Sequence, residues 1–235
     1  MAEGLKSGRR ELSRRVAPLR TVVLHSASAR SQSERAYLLI RDLIVTLRLK
    51  PGSVIEEGQL QRELNLGRTP IREALQRLAH ENLVTVIPHR STFVTDINIT
   101  DLARLTEVRI DLEGSAARLA AERATDDERR VMRDLVAELR RLDDAQTDVL
   151  IRLDQRIHRL IYQASRNQFL EDVCDRYFNL SVRLWFLFLP RLPLREAVIE
   201  QLEVLDAVIA QDPKRAESAL RRHVAAFEEE VRRIL

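Results

Sequence analysis

The sequence predicts a mainly α-helical protein, in which three helices and a two-stranded hairpin precede a bundle of about six helices. Three observations support this fold class. Aromatic residues make up only 4% of the 235 residues, and there are only 6 glycines and 7 prolines, so a sheet-rich fold is not expected. Apolar residues recur with a period of 3.6 through most of the chain. Two short β-like runs stand together near position 90.

Composition excludes several other classes of protein. Apolar residues make up 45% of the chain and charged residues 32%, which is typical of a globular protein and not of a fibrous or wholly disordered one. The single cysteine, Cys174, excludes a disulfide framework or CxxC site and fits a reducing compartment. The longest apolar run, residues 184–189, is far shorter than the roughly 20 residues of a membrane span, and no secretory signal is recognisable. We therefore expect no membrane partner.

The chain opens with an arm and two helices. Residues 1–32 contain two arginine pairs and many serines, so we expect a basic, disordered arm that either adds non-specific DNA affinity or is an inert tail. The first helical pattern spans residues 34–47 and ends at the turn signal Pro51-Gly52. A short helix over about residues 57–64 follows.

The next elements complete a winged helix-turn-helix. After a turn at residues 65–67, Thr69 is the expected N-cap of a second helix and Pro70 its first helical residue. Two β-like runs, residues 83–87 and 92–95, are joined by a loop of hairpin length. This order of helix, helix-turn-helix and hairpin predicts a fold that binds DNA.

From Thr100 onward every pattern is helical. Breakers at Asn167, Pro193 and Pro213 separate the later helices, and no repeat of fixed period is present, so a bundle is expected rather than a solenoid. The expected helices are a long first one marked by residues 102–119, then 126–144, 147–164, 168–189, 194–211 and 213–234.

Charge supports a division into two domains. Residues 1–97 hold 16 lysines and arginines against 10 acidic residues, whereas residues 98–235 hold 23 against 26. Contact with nucleic acid is therefore expected in the first part only. We assign residues 33–97 to a DNA-binding domain and residues 98–235 to a separate all-helical domain.

The second helix of the helix-turn-helix has an apolar face and a polar face. An arginine in the first turn of such a helix can contact guanine O6 and N7, while threonine and the helix N-terminus suit a phosphate. Taken singly, these charges could equally be solvated surface residues. The apolar face is Ile71, Ala74, Leu75 and Leu78, and the polar set is Arg68, Thr69, Arg72, Glu73 and Gln76.

Residues 68–75, Arg-Thr-Pro-Ile-Arg-Glu-Ala-Leu, resemble the DNA-binding domain of the GntR family of bacterial repressors. Residues 107–120 resemble the all-helical FCD ligand domain of its FadR-like branch, and together the two resemblances cover about residues 33–235. They imply a cytoplasmic, homodimeric repressor that binds a palindromic operator in double-stranded DNA and a small organic-acid effector. The family's DNA contacts carry over to Arg68, Thr69 and Arg72 with Pro70 beside them, and its wing tip to His89 and Arg90.

Two positions depart from the family's DNA-binding pattern. Gly58 stands where many members have an arginine, which removes one expected contact. Ser91 stands where the wing tip usually has a glycine, so the hairpin is expected to differ in shape. Both departures concern the preferred DNA sequence and not DNA binding itself.

Polar side chains interrupt the apolar stripes of three C-terminal helices. Asp154 and His158, four residues apart, share a face of one helix, while Gln201 and His223 lie in the stripes of two others. Buried polar groups need partners, so these four side chains could converge on one site. An aspartate with two histidines suits a first-row metal such as Zn, Ni, Cu or Fe. Alternatively, each is a core residue with a single partner.

The resemblance favours the metal. In many FCD domains an Asp-x-x-x-His pair and two later histidines bind a divalent cation in the effector pocket, and Asp154, His158 and His223 match three of those positions. Gln201 stands where the remaining histidine usually is. A neutral amide oxygen is a poor ligand for Zn or Ni, so affinity should fall or the site should use three protein ligands. No nucleotide cofactor is expected, because no glycine-rich phosphate loop is present.

Three further residues are candidates for contact with the effector. Arg109 could bind a carboxylate with its guanidinium fork, or pair with Glu113 or Glu107. Tyr177 and Arg183 are weaker candidates of the same kind. The run of residues 185–188 fits core or dimer packing better than a ligand cage.

Two other functions fit the sequence less well. A metallohydrolase would use Asp154, His158 and His223, but no general base or nucleophile pair is placed beside them, so the chain is not expected to be an enzyme. An architectural DNA-binding protein without an effector would need no polar side chains on the inward faces of its helical bundle. A ligand-responsive transcription regulator therefore fits the sequence best.

Overall fold

A computed structural model describes residues 31–88, 90–142 and 147–235. Almost all of the expected arm over residues 1–32, and the wing residue His89, lie outside these ranges. The described chain is mainly helical with a small sheet, which confirms the predicted fold class. None of its helices is long and apolar enough to cross a membrane.

From residue 31 onward, the described N-terminal part contains three helices and a three-stranded antiparallel sheet in the order β1-β3-β2. Thr92 of the central strand pairs with Ile55 on one side and Val86 on the other. The sequence predicted β2 and β3 but not β1, because a strand of two residues is too short to show alternation. The elements are α1 (Gln32–Val45), β1 (Val54–Ile55), α2 (Glu57–Leu64), α3 (Arg68–His80), β2 (Val84–Val86) and β3 (Thr92–Val94).

Two helix starts differ from the predictions. Helix α1 begins two residues earlier than expected, because the Ser31 side chain accepts a hydrogen bond from the Glu34 backbone and caps it. Helix α3 begins at Arg68 after an N-cap at Gly67, so the prediction of Thr69 as N-cap is wrong. Pro70 is tolerated in the first turn because backbone N–H groups there have no partner within the helix.

The described C-terminal part contains the six predicted helices, but the second ends at Leu139 and not at the expected residue 144. Short 3₁₀ turns at Ile99–Asp101 and Leu189–Arg191 precede α4 and follow α7. Thr125 and Glu128 form a reciprocal capping box at the start of α5. Asn167 and Asp212, beside two of the predicted breakers, cap α7 and α9. The helices are α4 (Leu102–Arg123), α5 (Asp126–Leu139), α6 (Thr147–Ala164), α7 (Gln168–Phe188), α8 (Leu194–Ile209) and α9 (Pro213–Ile234).

Helix α4 is the axis of the bundle and packs against α6, α7, α8 and α9. Its approach to α9 requires a glycine, because a Cβ at Gly114 would lie 2.8 Å from Cγ of Arg221. Fully buried Ile157, Ile161 and Val198 fill the space around it. The N-terminal part joins this bundle through α1, which packs against α7. Helix α7 therefore belongs to the bundle and also contacts the N-terminal part.

Candidate DNA interface and metal centre

Helix α3 buries one face and exposes the other, as its pattern predicts. Arg90, at the tip of the wing, is also exposed, and Pro70 is half-buried. These side chains lie on the N-terminal turns of the helix and on the hairpin, the elements that enter DNA grooves in winged helices. The predicted contact residues exposed on α3 are Arg68, Thr69, Arg72 and Gln76.

Arg72 has a partner that the sequence analysis missed. Its Nε lies 3.0 Å from Oε2 of Glu57, in the first turn of α2, while the Arg72 side chain remains 52% exposed. An exposed pair of this kind contributes little to folding. Its effect is to link the exposed face of α3 to the first turn of α2. The two residues are neighbours only because the helix-turn-helix brings α2 across α3.

The four polar residues predicted to converge lie together in the bundle. Asp154 and His158 of α6 and His223 of α9 are buried, and their ligand atoms lie within 4.8 Å of one another. The Nε2 atom of His158 is 3.3 Å from Nε2 of His223 and 3.6 Å from Oδ1 of Asp154. Three helices, α6, α8 and α9, bring the set to one point.

Gln201 completes this set from α8 and is fully buried. Its Nε2 donates a hydrogen bond to Oδ1 of Asp154 and lies 3.3 Å from Nε2 of His223. Among the described residues, its Oε1 has no hydrogen-bond partner. Reversing the amide would bring this oxygen against Asp154, which is favourable only if a cation lies between the two.

A buried carboxylate contacts His158 on the side of its ring that faces away from the cluster. Oε2 of Glu113 in α4 lies 2.9 Å from Nδ1 of His158, and the other oxygen accepts a hydrogen bond from Nε of Arg109 at 2.5 Å. Burial by itself raises the pKa of Glu113, but Arg109 and His158 lower it to about 2. The Tyr162 hydroxyl lies 3.1 Å from the same Nδ1 of His158. A carboxylate beside Nδ1 favours the tautomer that carries its proton there, in which the lone pair of Nε2 faces the cluster.

Sequence reasoning named Glu113 only as a partner for Arg109. Its spacing of four residues from Arg109 pointed to that ion pair, which the structure contains. Contact with His158 joins two helices, and no spacing along the chain indicates it.

The donor set fits a divalent first-row cation. Two imidazole Nε2 atoms face each other beside a carboxylate, one imidazole is oriented by a second carboxylate, and a buried amide oxygen has no partner. The cavity at this point has a volume of about 10 Å³ and is lined by Arg109, Asp154, His158 and His223, among others. It has room for one ion or one water molecule.

The other effector candidates divide between two places. Arg109 lines the small cavity, where its Nη1 also donates to Oγ of Ser181 at 2.6 Å. Tyr177 and Arg183 lie elsewhere, at a second cavity where the N-terminal part meets the bundle. Trp185, from the aromatic run in α7, is buried against Phe227 of α9.

Comparison with known proteins gives two family matches. A model described as bacterial regulatory proteins, gntR family, matches residues 32–94, and an FCD domain model matches residues 104–226. The Nta operon transcriptional regulator of Aminobacter aminovorans is 35% identical over 144 residues, which are 61% of this chain and 67% of that protein. The HTH-type transcriptional repressor RspR of Escherichia coli K12 is 24% identical over 204 residues, 86% of this chain and 90% of that one.

A solved structure shares the fold. The structure of E. coli McbR/YncC aligns with a TM-score of 0.72 and 21% identity, and the alignment covers 88% of this chain and 97% of that one. The helix-turn-helix and the helical domain therefore occur in the same order and arrangement in both proteins.

Proposed function

The chain belongs to the GntR family of bacterial transcriptional regulators and carries the FCD domain, and we propose that it is a repressor controlled by a small organic acid held through a divalent metal. Proteins of this family and the relatives found are transcriptional regulators, so the metallohydrolase hypothesis is not supported. The proposal assigns residues 33–97 to operator binding and residues 98–235 to effector binding and dimerisation. It places the protein in the cytoplasm, with the chromosome it regulates.

The observation that carries this proposal is the buried cluster of Asp154, His158 and His223 with Glu113 behind it. A bundle that served only as a structural support would be more stable with apolar residues at these positions. A cluster of charged and polar groups at the centre of a helical domain therefore indicates ligand binding.

Each residue has a separate task in this proposal. Asp154, His158 and His223 hold the cation, and Gln201 is its neutral neighbour once the amide is reversed so that its oxygen replaces Nε2 beside Asp154. Glu113, with the Tyr162 hydroxyl beside it, would favour a proton on Nδ1 of His158, so that Nε2 is free to bind. Arg109 supplies positive charge at the cavity wall, where an effector carboxylate would lie. When bound, a divalent cation would offer open coordination positions to that carboxylate.

Binding of the effector would move helix α7. The present cavity of about 10 Å³ is too small for an organic acid, so Phe178, Trp185 or Phe227 in its wall must shift. The first two belong to α7, which also contacts α1 of the DNA-binding domain. The DNA-binding domains could then adopt two arrangements, one that fits the operator and one that does not. The effector changes operator affinity only to the extent that its own affinity differs between these two arrangements.

Two measurements test this proposal. Protein purified without chelator is analysed for metal, and metal-free protein is heated with added Zn²⁺ or Ni²⁺. A cation that binds only the folded state raises Tm. We expect the shift to disappear in His223→Ala and to persist in His80→Ala, which removes an exposed histidine from α3.

The DNA part of the proposal is tested separately, by selecting bound sequences from a random pool with and without small carboxylic acids and metal. A recovered palindrome whose affinity changes with an acid supports the regulator. Absence of metal and of any thermal shift would disprove the metal site alone. Recovery of a palindrome that no acid affects would favour a DNA binder without effector.

A further inference from the structure

A second cavity lies at the junction between the DNA-binding domain and the bundle. Its volume is about 460 Å³, which is within the range of small-molecule sites. Thr95 lines it from the chain just after strand β3, Val108 from α4, and Tyr177, Leu180 and Arg183 from α7. It is distinct from the metal cluster, since none of Asp154, His158, Gln201 and His223 lines it.

Arg183 brings to this cavity a buried positive charge that has no carboxylate within ion-pair distance in the described structure. The residue is only 2% exposed. Its Nη1 donates to Oγ1 of Thr95 at 2.8 Å and its Nη2 to the Thr95 carbonyl at 2.5 Å, and both acceptors are neutral. Within the described part of the chain, its Nε has no hydrogen-bond partner. Burial lowers the pKa of Arg183 to about 10, although Asp96 acts in the opposite direction.

Other buried arginines have carboxylate partners. Arg41 lies 2.9 Å from Asp42, and Arg109 lies 2.5 Å from Glu113. Among the described residues, no such ion pair is found for Arg183 within 4.0 Å. A buried charge without a counter-charge costs free energy, which a bound anion would recover.

We propose that the junction cavity binds a small organic monocarboxylate, with its carboxylate at Arg183 and its apolar body against Val108, Tyr177 and Leu180. This second ligand site goes beyond the effector site of the bundle and does not depend on a metal. The carboxylate of the ligand would accept a hydrogen bond from Nε of Arg183 and neutralise its guanidinium.

The remaining charges around the cavity favour a monoanion over a dianion such as phosphate. Of the two described arginines that line the cavity, Arg104 is exposed and paired with Asp101 at 3.1 Å, whereas Arg183 is buried without a carboxylate partner. Asp96 is exposed at the edge of the cavity and would repel a second negative charge. The apolar side chains in the wall suit a hydrocarbon body.

Such a ligand would contact both domains at once. Thr95 belongs to the DNA-binding domain and Arg183 to the bundle, so the ligand would stabilise their present relative placement. The site is therefore positioned to modulate operator binding independently of the metal cluster.

The test is calorimetric titration of the full-length protein with benzoate and hexanoate, after metal has been stripped with phenanthroline and the chelator removed by dialysis. We expect saturable binding of at least one acid at millimolar concentration or below, and none of benzyl alcohol, which lacks the charge. Absence of saturable binding by both acids would overturn the proposal.

Three variants locate the site. Arg183→Gln should weaken binding about tenfold to a hundredfold through loss of a charged hydrogen bond. Val108→Trp should block the cavity while leaving Arg183 in place, and Val131→Trp on α5 is its matched control because both valines are 39% exposed. Circular dichroism verifies folding, and Val108→Trp still decides the question if Arg183→Gln does not fold. Equal binding by Val108→Trp and the unaltered protein would place the ligand elsewhere and refute the proposal.

Discussion

Glu113 is a fully buried carboxylate that remains charged because its two oxygens face different partners. Arg109 donates to one oxygen and His158 lies against the other. In a protein interior an ion pair contributes little net stability, but removal of one partner is costly because the other charge is left uncompensated. The arrangement therefore fixes the orientation of His158 more than it strengthens the fold.

The lowered pKa of Glu113 predicts a pH-dependent stability. Its pKa is about 2 in the folded protein against 4.5 ordinarily, so its contribution is complete above pH 4.5 and is lost as the pH falls toward 2. The loss is on the order of 3 kcal/mol. In Glu113→Gln this dependence should disappear, and stability at neutral pH should fall by about 3–5 kcal/mol because Arg109 is unpaired.

Urea unfolding across that pH range measures both effects. Glu107→Gln, which alters an exposed glutamate on the same helix, is the control and should retain the dependence. An unchanged pH profile in Glu113→Gln would show that Glu113 is not the titrating group.

Substitution of Gln201 by histidine should raise the affinity of the cluster for a divalent metal. Gln201→His places a third imidazole beside Asp154 and His223, and neutral imidazole binds Zn or Ni far better than an amide does. We expect affinity to rise about tenfold or more. Competition with a chromogenic chelator measures it, with exposed Gln163→His as control. Equal affinity in both variants would exclude position 201 from the coordination shell.

At the scale of the element, the predicted DNA contacts of α3 lie beside α2. Glu57 in the first turn of α2 pairs with Arg72, while the apolar face of α3 is buried below. The surroundings of Arg72 are therefore a property of the helix pair and not of α3 alone.

Substitution of Arg72 tests this element. Arg72→Ala should weaken operator binding by about 1–3 kcal/mol and relax the preference at one base position. Glu57→Gln should have a smaller effect in the same direction, since the guanidinium remains but is less well oriented. Fluorescence anisotropy on the selected operator measures both, with exposed Arg130→Ala in the bundle as control. Unaltered affinity in Arg72→Ala would contradict the assigned contact.

At the scale of the whole molecule, the junction fixes the DNA-binding domain on the bundle. Helix α1 packs against α7, and Arg183 donates two hydrogen bonds to Thr95. A dimer built on the bundles would then hold its two α3 helices at a set separation.

This junction predicts a strict operator spacing. In a homodimer the two α3 helices should read half-sites about one helical turn, ~34 Å, apart. Insertion of about 5 base pairs between the half-sites should abolish binding by the dimer, because it turns one half-site to the opposite face of the DNA. Electrophoretic mobility shift measures this, and an insertion in flanking DNA is the control. Equal binding to both DNAs would show that the domains move freely.

The sequence by itself determined the elements and their order. The signals used were helical periodicity, the breakers at Asn167 and Pro213, and the hairpin run, and all of them depend on residues close together along the chain. They predicted the three helices, the wing and the six further helices of the described chain. The same periodicity placed Asp154, His158, Gln201 and His223 on inward faces. It did not indicate β1, which exists only because β3 lies beside it.

The tertiary structure alone decided which polar groups become partners. Arg183 and Thr95 are 88 residues apart, and Arg72 and Glu57 are 15 apart, in different elements. Such pairs depend on how helices pack, and packing is set by the combined shape of many side chains rather than by any spacing in the sequence. For the same reason, only the folded chain separates Tyr177 and Arg183 from the cluster of Asp154, His158 and His223. It also leaves the Arg183 charge without a carboxylate within ion-pair distance in the described structure.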